Sequence, residues 1–168
     1  MSDVGTDIPV ADSLAAASPV KTWNRVAKEY DWLARLAIGG IFIWSGAAHL
    51  ANPYYFLSTV YQYELTSAPV GALIASYLPF LELLLAVCLL SGTCRRSAWL
   101  LTSLLLLCFV GVQCSALIRG LQISCGCFGP EINRPVGGLS ISFTSALAVL
   151  AISGTVAARR LGAENETA

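Results

Sequence analysis

The sequence predicts an all-α integral membrane protein, a four-helix bundle with both termini on the cytoplasmic side. The 168 residues are 56% hydrophobic and only 12% charged, whereas soluble domains contain about 25% charged residues. Nearly all charged residues lie outside four apolar stretches of about 20 residues each. A helix of that length crosses a bilayer core of about 30 Å. A soluble bundle needs a polar face on each helix, which these stretches lack. Because the net charge is zero, no nucleic-acid partner is indicated.

The four apolar stretches define a membrane domain over residues 32–158. They lie near residues 33–51, 70–91, 98–118 and 139–158. The first span is rich in glycine, alanine and serine, and small residues let helices approach closely in lipid. Pro79 lies within the second span, where we expect it to kink the helix because proline removes one backbone hydrogen bond.

The segments outside the spans are short. Residues 1–31 predict a disordered tail followed by a basic and aromatic segment at the membrane surface, and residues 159–168 predict a short cytoplasmic tail. The N-terminus differs from a secretory signal, since its first charges are acidic and no long apolar core follows them. Residues 52–69 are rich in aromatic side chains. We expect them to form an amphipathic piece in the extracytoplasmic interface.

Basic residues concentrate on one side of the predicted bundle. That side, with both termini and the turn between spans two and three, carries Lys21, Arg25, Lys28, Arg95, Arg96, Arg159 and Arg160. The opposite side has Arg119 and Arg134. Because basic segments stay in the cytoplasm, the sequence predicts a multi-pass protein of the bacterial inner membrane. The loop between spans three and four then faces the periplasm, where disulfides form and persist.

Cys125 and Cys127, in that loop, are the best candidates for chemistry. A disulfide needs Cα atoms about 4.4–6.8 Å apart, so the chain must bend between them, and Gly126 permits the bend because it has no Cβ. We expect so small a ring to be strained, and strained disulfides are labile and oxidising. The pattern favours a redox-active pair. The alternatives are a structural disulfide, for example to Cys114, and a metal site, for which two thiols supply few ligands.

Cys114 is the candidate third redox residue. It lies about four residues inside the end of the third span, roughly 6 Å below the membrane rim, where the loop can fold back over it. Such a thiol can pass electrons from the loop pair to a lipid-soluble acceptor. Alternatively, Cys114 fills space as a small apolar residue. Cys88, Cys94 and Cys108 lie too deep or on the wrong side, and we expect them to be reduced and structural.

Glu82 and His49 are candidates for cofactor binding. Glu82 lies about 12 residues into the second span, roughly 18 Å from its start, where an ionisable group is costly unless paired or neutral. It either accepts a proton in quinone chemistry or ties helices together by a hydrogen bond. His49, the only histidine, either relays a proton or makes a purely structural contact. Arg119 either favours a thiolate in the loop or reaches lipid headgroups.

Three motifs carry a resemblance to a known family: Trp44–Pro53, Leu78–Leu85 and Cys125–Gly129. Over residues 32–158 the chain resembles the methylamine-utilisation MauE-like proteins, within the wider DoxX-like group of four-helix membrane proteins. The resemblance implies a cytoplasmic-membrane protein linked to extracytoplasmic thiol redox work. MauE is associated with maturation of a disulfide-rich periplasmic dehydrogenase subunit, and DoxX-like relatives are tied to quinone-linked sulfur oxidation.

These observations favour an inner-membrane thiol–disulfide redox protein, a quinone-linked oxidoreductase in its fullest form. Its partners are the lipid bilayer and a periplasmic thioredoxin-like or secreted disulfide-containing protein, and a quinone is the candidate cofactor. The alternative is a non-catalytic membrane subunit or assembly factor with a structural disulfide. A small-molecule transporter has little support, because Glu82 is the only charged residue deep in a span.

Overall fold

The protein folds into α-helices in a computed structural model that describes residues 19–126, 129 and 135–166. The helices are α1 (Pro19–Ala51), α2 (Pro53–Gln62), α3 (Ala68–Ser91), α4 (Arg95–Ile118) and α5 (Gly138–Glu166). The described residues contain no β-strand, only one isolated antiparallel bridge between Ser124 and Pro135. The predicted all-α class is therefore confirmed.

Four of the helices are long and apolar enough to cross a membrane, as predicted. The apolar segments are Glu29–Ala51, Ala68–Ser91, Arg95–Ile118 and Gly138–Arg159. Their ends agree with the predicted ends to within one residue, whereas their starts lie one to four residues earlier. The first and third spans start three to four residues earlier than predicted because their first turns contain Glu29, Asp31, Arg95 and Arg96, which a hydropathy pattern leaves out.

Proline and glycine set two of the helix ends. The residue before a proline is pushed out of the helical region, so α1 stops ahead of Pro53. Pro53 then begins α2, at a position where its missing N–H costs little. At the end of α4, Gly120 adopts φ +67°. The N–H groups of Gly120 and Leu121 bond back to carbonyls of the last turn, which is a Schellman motif.

The long helices form two tight pairs, α1 with α3 and α4 with α5. Small residues make both pairs possible. A Cβ at Gly39 or Gly46 of α1 would lie 2.9 Å from the Cγ of a leucine in α3. A Cβ at Gly154 of α5 would lie 2.7 Å from the Trp99 indole of α4. The small residues of the first span therefore act as expected, by letting the backbones approach.

A buried carboxylate ties the helices together at the end of the bundle that holds the α3–α4 turn, here called the basic end. Asp31 is 1% exposed, and its carboxylate lies 3.0 Å from the guanidinium nitrogens of both Arg35 and Arg95. The Trp99 indole N–H donates a 3.1 Å hydrogen bond to the same carboxylate. Buried charges are retained where they are paired. These contacts join α1 to the start of α4, and the sequence pattern did not single out Asp31.

The opposite end, here called the cysteine end, consists of α2 and the loop between α4 and α5. Helix α2 has the predicted amphipathic character, since Phe56 and Thr59 are buried while Tyr54 is 86% exposed. The other predicted surface segment, ahead of the first span, continues α1 as one unbroken helix from Pro19. Residues 1–18, where a disordered tail is predicted, lie outside the described residues.

Candidate functional site

The described residues of the cysteine loop, namely 119–126, 129 and 135–137, fold back onto the end of the bundle. Its two arms meet where the Val136 N–H donates a 2.8 Å hydrogen bond to the Ile123 carbonyl. Next to this bond, the Ser124 hydroxyl lies 3.3 Å from the Tyr55 hydroxyl of α2. The first arm of the loop is therefore held against α2.

Cys125 is half-buried and lies against the bundle. The Tyr63 hydroxyl donates a 3.3 Å hydrogen bond to the Cys125 carbonyl. The Gln113 side-chain amide donates to Cys125 Sγ at 3.5 Å. An N–H donor beside a sulfur stabilises its thiolate form more than its neutral thiol. Backbone and side chain of Cys125 are thus both held by polar groups of the bundle.

Gln113 is 2% exposed, and Thr144 of α5 fixes the orientation of its amide. The Thr144 hydroxyl donates to the Ser140 carbonyl at 3.0 Å. Its oxygen is therefore available to accept the 3.0 Å hydrogen bond from Gln113 Nε2. An amide nitrogen carries two hydrogens, so the second is available for Cys125 Sγ. A polar residue near the end of an otherwise apolar span was the signal that could have drawn attention to Gln113.

Gly126 allows the loop to pass close to α2. Its φ of +75° is a left-handed conformation that glycine adopts readily and other residues rarely. A Cβ at this position would lie 2.5 Å from Thr59 Cγ2, so a side chain would collide with α2. The close approach places the Gly126 carbonyl 2.9 Å from His49 Nε2.

His49 connects the loop to the interior of the membrane domain. Its ring is 3% exposed and stacks on Phe56, with centroids 3.8 Å apart. Because a carbonyl only accepts, Nε2 must carry the hydrogen donated to Gly126. The other ring nitrogen, Nδ1, lies 3.3 Å from Glu82 Oε2. That is within ion-pair distance, although the two atoms lack the alignment of a hydrogen bond.

Glu82 faces the interior of the bundle and is 1% exposed. Its carboxyl lies beside Nδ1, the ring nitrogen of His49 that does not contact Gly126. An ionisable group at this depth is costly unless it is paired, and His49 is the partner that the structure places beside Glu82.

A cavity of about 560 Å³ lies at the cysteine end, with walls from all four long helices and α2. Most of the wall is aliphatic or aromatic. The polar side chains that reach it include His49, Glu82, Gln113, Thr144 and Cys125. Binding pockets for small molecules have volumes of about 300–1,000 Å³, mostly apolar walls and a few polar groups. The cavity has each of these properties.

The structure brings together three of the predicted site residues, namely Cys125, His49 and Glu82, around this cavity. Cys114 is half-buried with a free thiol, and it does not line the cavity although its neighbour Gln113 does. Consecutive helical residues point roughly 100° apart, so Cys114 lies on another face of α4. Cys127, the second member of the predicted pair, lies outside the described residues.

The remaining candidate residues lie away from the cavity. Cys88, Cys94 and Cys108 have free thiols, as expected for reduced structural residues. Arg119 donates a 2.8 Å hydrogen bond to the Tyr63 carbonyl and forms a 2.9 Å ion pair with Glu64. The arginine thereby supports the segment that holds Cys125.

Comparison with known protein families identifies one family whose model matches most of the chain. The model of the family described as "Methylamine utilisation protein MauE" matches residues 27–157, which include all four spans and the cysteine loop. The chain belongs to the MauE family. Membership implicates this membrane protein in methylamine utilisation. No curated protein and no solved structure has detectable similarity to the chain, and the wider DoxX-like placement stays a prediction.

In this MauE-family protein, the site combines three chemical features at one cavity. It has a sulfur with an N–H donor, a buried His49–Glu82 pair, and an apolar space of small-molecule size. His49 links them, since it contacts Glu82 through one ring nitrogen and the residue after Cys125 through the other. The Cys125 sulfur and the buried pair therefore border the same apolar space.

Proposed function

We propose that this MauE-family protein is a thiol–disulfide redox protein of the bacterial inner membrane, which supports disulfide formation or maturation of extracytoplasmic proteins. The observation that carries the proposal is the placement of Cys125. It lines an apolar cavity, has an N–H donor beside its sulfur, and is followed by a residue bonded to His49, which lies beside the buried Glu82. A cysteine that only staples a loop needs none of these.

The distribution of basic residues supports a periplasmic position for the cysteine end. Arg35, Arg95 and Arg96 lie at the basic end, whereas Arg119 at the cysteine end is neutralised by Glu64. Basic segments are retained in the cytoplasm, so the cysteine loop would face the oxidising compartment. Disulfide exchange with secreted proteins requires that side.

The proposed reaction is exchange between the disulfide of Cys125 and Cys127 and a dithiol of a periplasmic thioredoxin-like or secreted protein. The partner loses two electrons and two protons and gains a disulfide, while the loop pair gains them and becomes a dithiol. Repeated turnover requires that the loop dithiol be oxidised again.

A quinone is the class of acceptor that suits the cavity. The walls are mostly apolar, and Glu82 Oε2 is a buried polar atom without a hydrogen-bond partner among the described residues. His49 and Glu82 would hold the polar oxygen of such a molecule. A bound quinone supplies the capacity to take up two electrons and two protons. The chain contributes the adjacent thiol, the polar side chains of His49 and Glu82, and a mostly apolar wall that excludes water.

The redox state of the loop in cells tests the proposal. The variant used keeps Cys125 and Cys127 and has serine at the other four cysteines. Cells receive a pulse of dithiothreitol, are washed, and are quenched with acid before alkylation with a mass-tagged maleimide. We expect the pair to be reoxidised after the wash, and its reduced form to accumulate when quinone synthesis is blocked.

The contrary outcome is a pair that stays oxidised with or without quinone. That result would favour a non-catalytic membrane subunit or assembly factor with a structural disulfide. Restoring Cys114 in the same experiment tests its predicted redox role. Faster reoxidation supports that role, whereas an unchanged rate assigns Cys114 to packing.

A further inference from the structure

We infer that the cavity opens sideways into the bilayer and binds a molecule that has an uncharged polar head and a long apolar tail, with the head inside the cavity and the tail in the lipid. This ligand class rests on the proposed function and makes its acceptor more specific. Three features of the cavity point to it: a closed polar end, an exposed apolar opening, and the position of that opening within the spans.

The polar end of the cavity is closed. His49 and Glu82 line it and are almost completely buried. Phe42, which lies seven residues before His49 and roughly 10 Å deeper in the bundle, also lines the cavity and is buried. His49 Nδ1 and Glu82 Oε2 are buried atoms without a hydrogen-bond partner among the described residues. Buried polar atoms are normally hydrogen-bonded, and a polar head placed here would supply a partner.

The cavity has an opening lined by apolar side chains, here called the mouth. Four large apolar side chains belong both to the cavity wall and to the exposed surface, namely Leu65, Ile74, Leu139 and Phe143. Thr66 adds one hydroxyl to this exposed part of the wall. A side chain that is shared by the wall and the surface lies where the two meet. The mouth is therefore separate from the closed polar end, since Ile74 precedes Glu82 by eight residues of α3, roughly 12 Å.

The mouth lies within the predicted spans. Ile74 is six residues inside the span Ala68–Ser91, and Phe143 is five residues inside the span Gly138–Arg159. These positions are roughly 8–9 Å from the starts of the spans. Clusters of exposed large apolar side chains mark surfaces that contact lipid or apolar partners rather than water. The mouth therefore opens toward the bilayer.

The order of apolar mouth and polar interior selects the ligand. A molecule that enters from the lipid and reaches His49 and Glu82 must pass the mouth with its polar head first. A charged or zwitterionic head would lose its hydration at high cost, which argues against the phospholipids of the bilayer. An uncharged head, such as a quinone ring, passes at lower cost. Its tail can remain in the lipid, so the cavity volume of about 560 Å³ does not limit the tail length.

Tail length gives a direct test of the mouth. The protein used keeps Cys125, has serine at the other five cysteines, and is placed in nanodiscs. It cannot form a disulfide within the loop, so it reports binding alone. The probes are ubiquinone with its full isoprenoid tail and the same ring with a methyl group in place of the tail, at equal mole fractions in the lipid. Binding is measured as protection of Cys125 from N-ethylmaleimide and as a rise in the thermal unfolding midpoint. We expect equal binding of the two compounds, although the long tail far exceeds the drug-sized ligand that a pocket of this volume encloses.

Tryptophan substitutions then narrow the mouth. In Ile74→Trp and in Leu139→Trp we expect binding of the long-tailed compound to weaken by at least about tenfold, the scale on which overpacking acts. Binding of the methyl compound should stay unchanged, because it has no tail in the mouth. Leu73→Trp is the matched control, since Leu73 is the preceding residue of α3 and is exposed without lining the cavity. Squalene, an isoprenoid hydrocarbon without a polar head, should not bind.

Each contrary result has a defined meaning. Binding of the methyl compound alone would show a closed cavity and overturn the lateral mouth, while the proposed disulfide exchange would stand with a tail-less acceptor. An equal loss in Leu73→Trp, or no loss in either mouth variant, would overturn the assignment of the mouth. Binding of squalene as strong as that of ubiquinone would overturn the role of the polar head. If neither quinone binds, this ligand class fails together with the quinone link, whereas the disulfide exchange is judged separately by the redox state of the loop in cells.

Discussion

Gly126 is the residue through which the loop, α2 and the buried polar pair come into contact. Its left-handed φ and the absence of a side chain allow it to lie against Thr59 of α2. Only in that position does its carbonyl reach His49. The donor role of His49 Nε2 follows from this one backbone contact, and the other ring nitrogen, Nδ1, lies on the side of Glu82.

Gly126→Ala tests the contact, with Gly120→Ala as a matched control. Both glycines have positive φ, so each substitution costs about 1–2 kcal/mol in backbone strain. A Cβ at Gly120 has no atom within 4 Å, whereas at Gly126 it meets Thr59 Cγ2 at 2.5 Å. We therefore expect Gly126→Ala to cost about 1–3 kcal/mol more, the usual cost of overpacking. The measurement is the thermal unfolding midpoint in detergent.

Thr59→Ser separates the collision from the strain. Serine lacks the Cγ2 methyl group but keeps the hydroxyl that donates to the Tyr55 carbonyl at 3.0 Å. In the double variant the extra loss of stability should largely disappear. Equal midpoints for Gly126→Ala and Gly120→Ala, or no rescue by Thr59→Ser, would mean that the loop does not lie against α2 in this way.

At the scale of helices, the cavity lies between two closely packed helix pairs, α1 with α3 and α4 with α5. Glycines allow α1 to lie against α3, and Gly154 allows α5 to lie against Trp99 of α4. The pairs leave a space between them at the cysteine end. At the basic end the carboxylate of Asp31 and the arginines of α1 and α4 hold the pairs together.

Two glycines of α1 provide a matched test of the α1–α3 pair. A Cβ at Gly46 would lie 2.9 Å from Leu83 Cγ and 3.1 Å from the Pro79 carbonyl oxygen, whereas one at Gly40 meets nothing within 4 Å. We expect Gly46→Ala to destabilise the protein by about 1–3 kcal/mol and Gly40→Ala to be neutral or slightly stabilising. Thermal unfolding in detergent measures both. A Gly46→Ala protein as stable as Gly40→Ala would contradict the close packing.

The positions of the helices in the chain could be predicted from the sequence more completely than the side of each helix that faces the site. Pro53 and Gly120 set the ends of α1 and α4. These ends are visible in the sequence because the backbone preferences of proline and glycine act on their immediate neighbours. The starts of the first and third spans were placed late because their charged first turns have low hydropathy. The direction in which each α4 side chain points was not predictable in the same way. Gln113, which the sequence did not single out, reaches Cys125, whereas Cys114 does not line the cavity. A redox role for Cys114 stays a prediction. A one-residue difference rotates a side chain by roughly 100°, and an almost uniformly apolar helix gives no periodic signal to fix that rotation.

At the scale of the whole molecule, the sequence predicted the membrane class, the four spans and the MauE family, because each depends on composition or on contiguous motifs. It placed Cys125, His49 and Glu82 at the site but not the contacts between them. The His49–Gly126 bond joins residues 77 positions apart, and the cavity is formed by side chains of five helices. Such features depend on how the two helix pairs are placed relative to each other, which no local pattern determines.

The proposed function requires the cysteine loop to face the periplasm, and labelling from each side of the membrane tests this directly. The variant that keeps only Cys125 and Cys127 is reduced mildly and treated with an impermeant maleimide, in right-side-out spheroplasts and in inverted vesicles. A variant that keeps only Cys94, exposed at the α3–α4 turn, is the control for the opposite side. We predict that the loop thiols are tagged in spheroplasts and Cys94 in inverted vesicles. Tagging of the loop thiols in inverted vesicles alone would place them in the cytoplasm and contradict the proposed exchange with extracytoplasmic proteins.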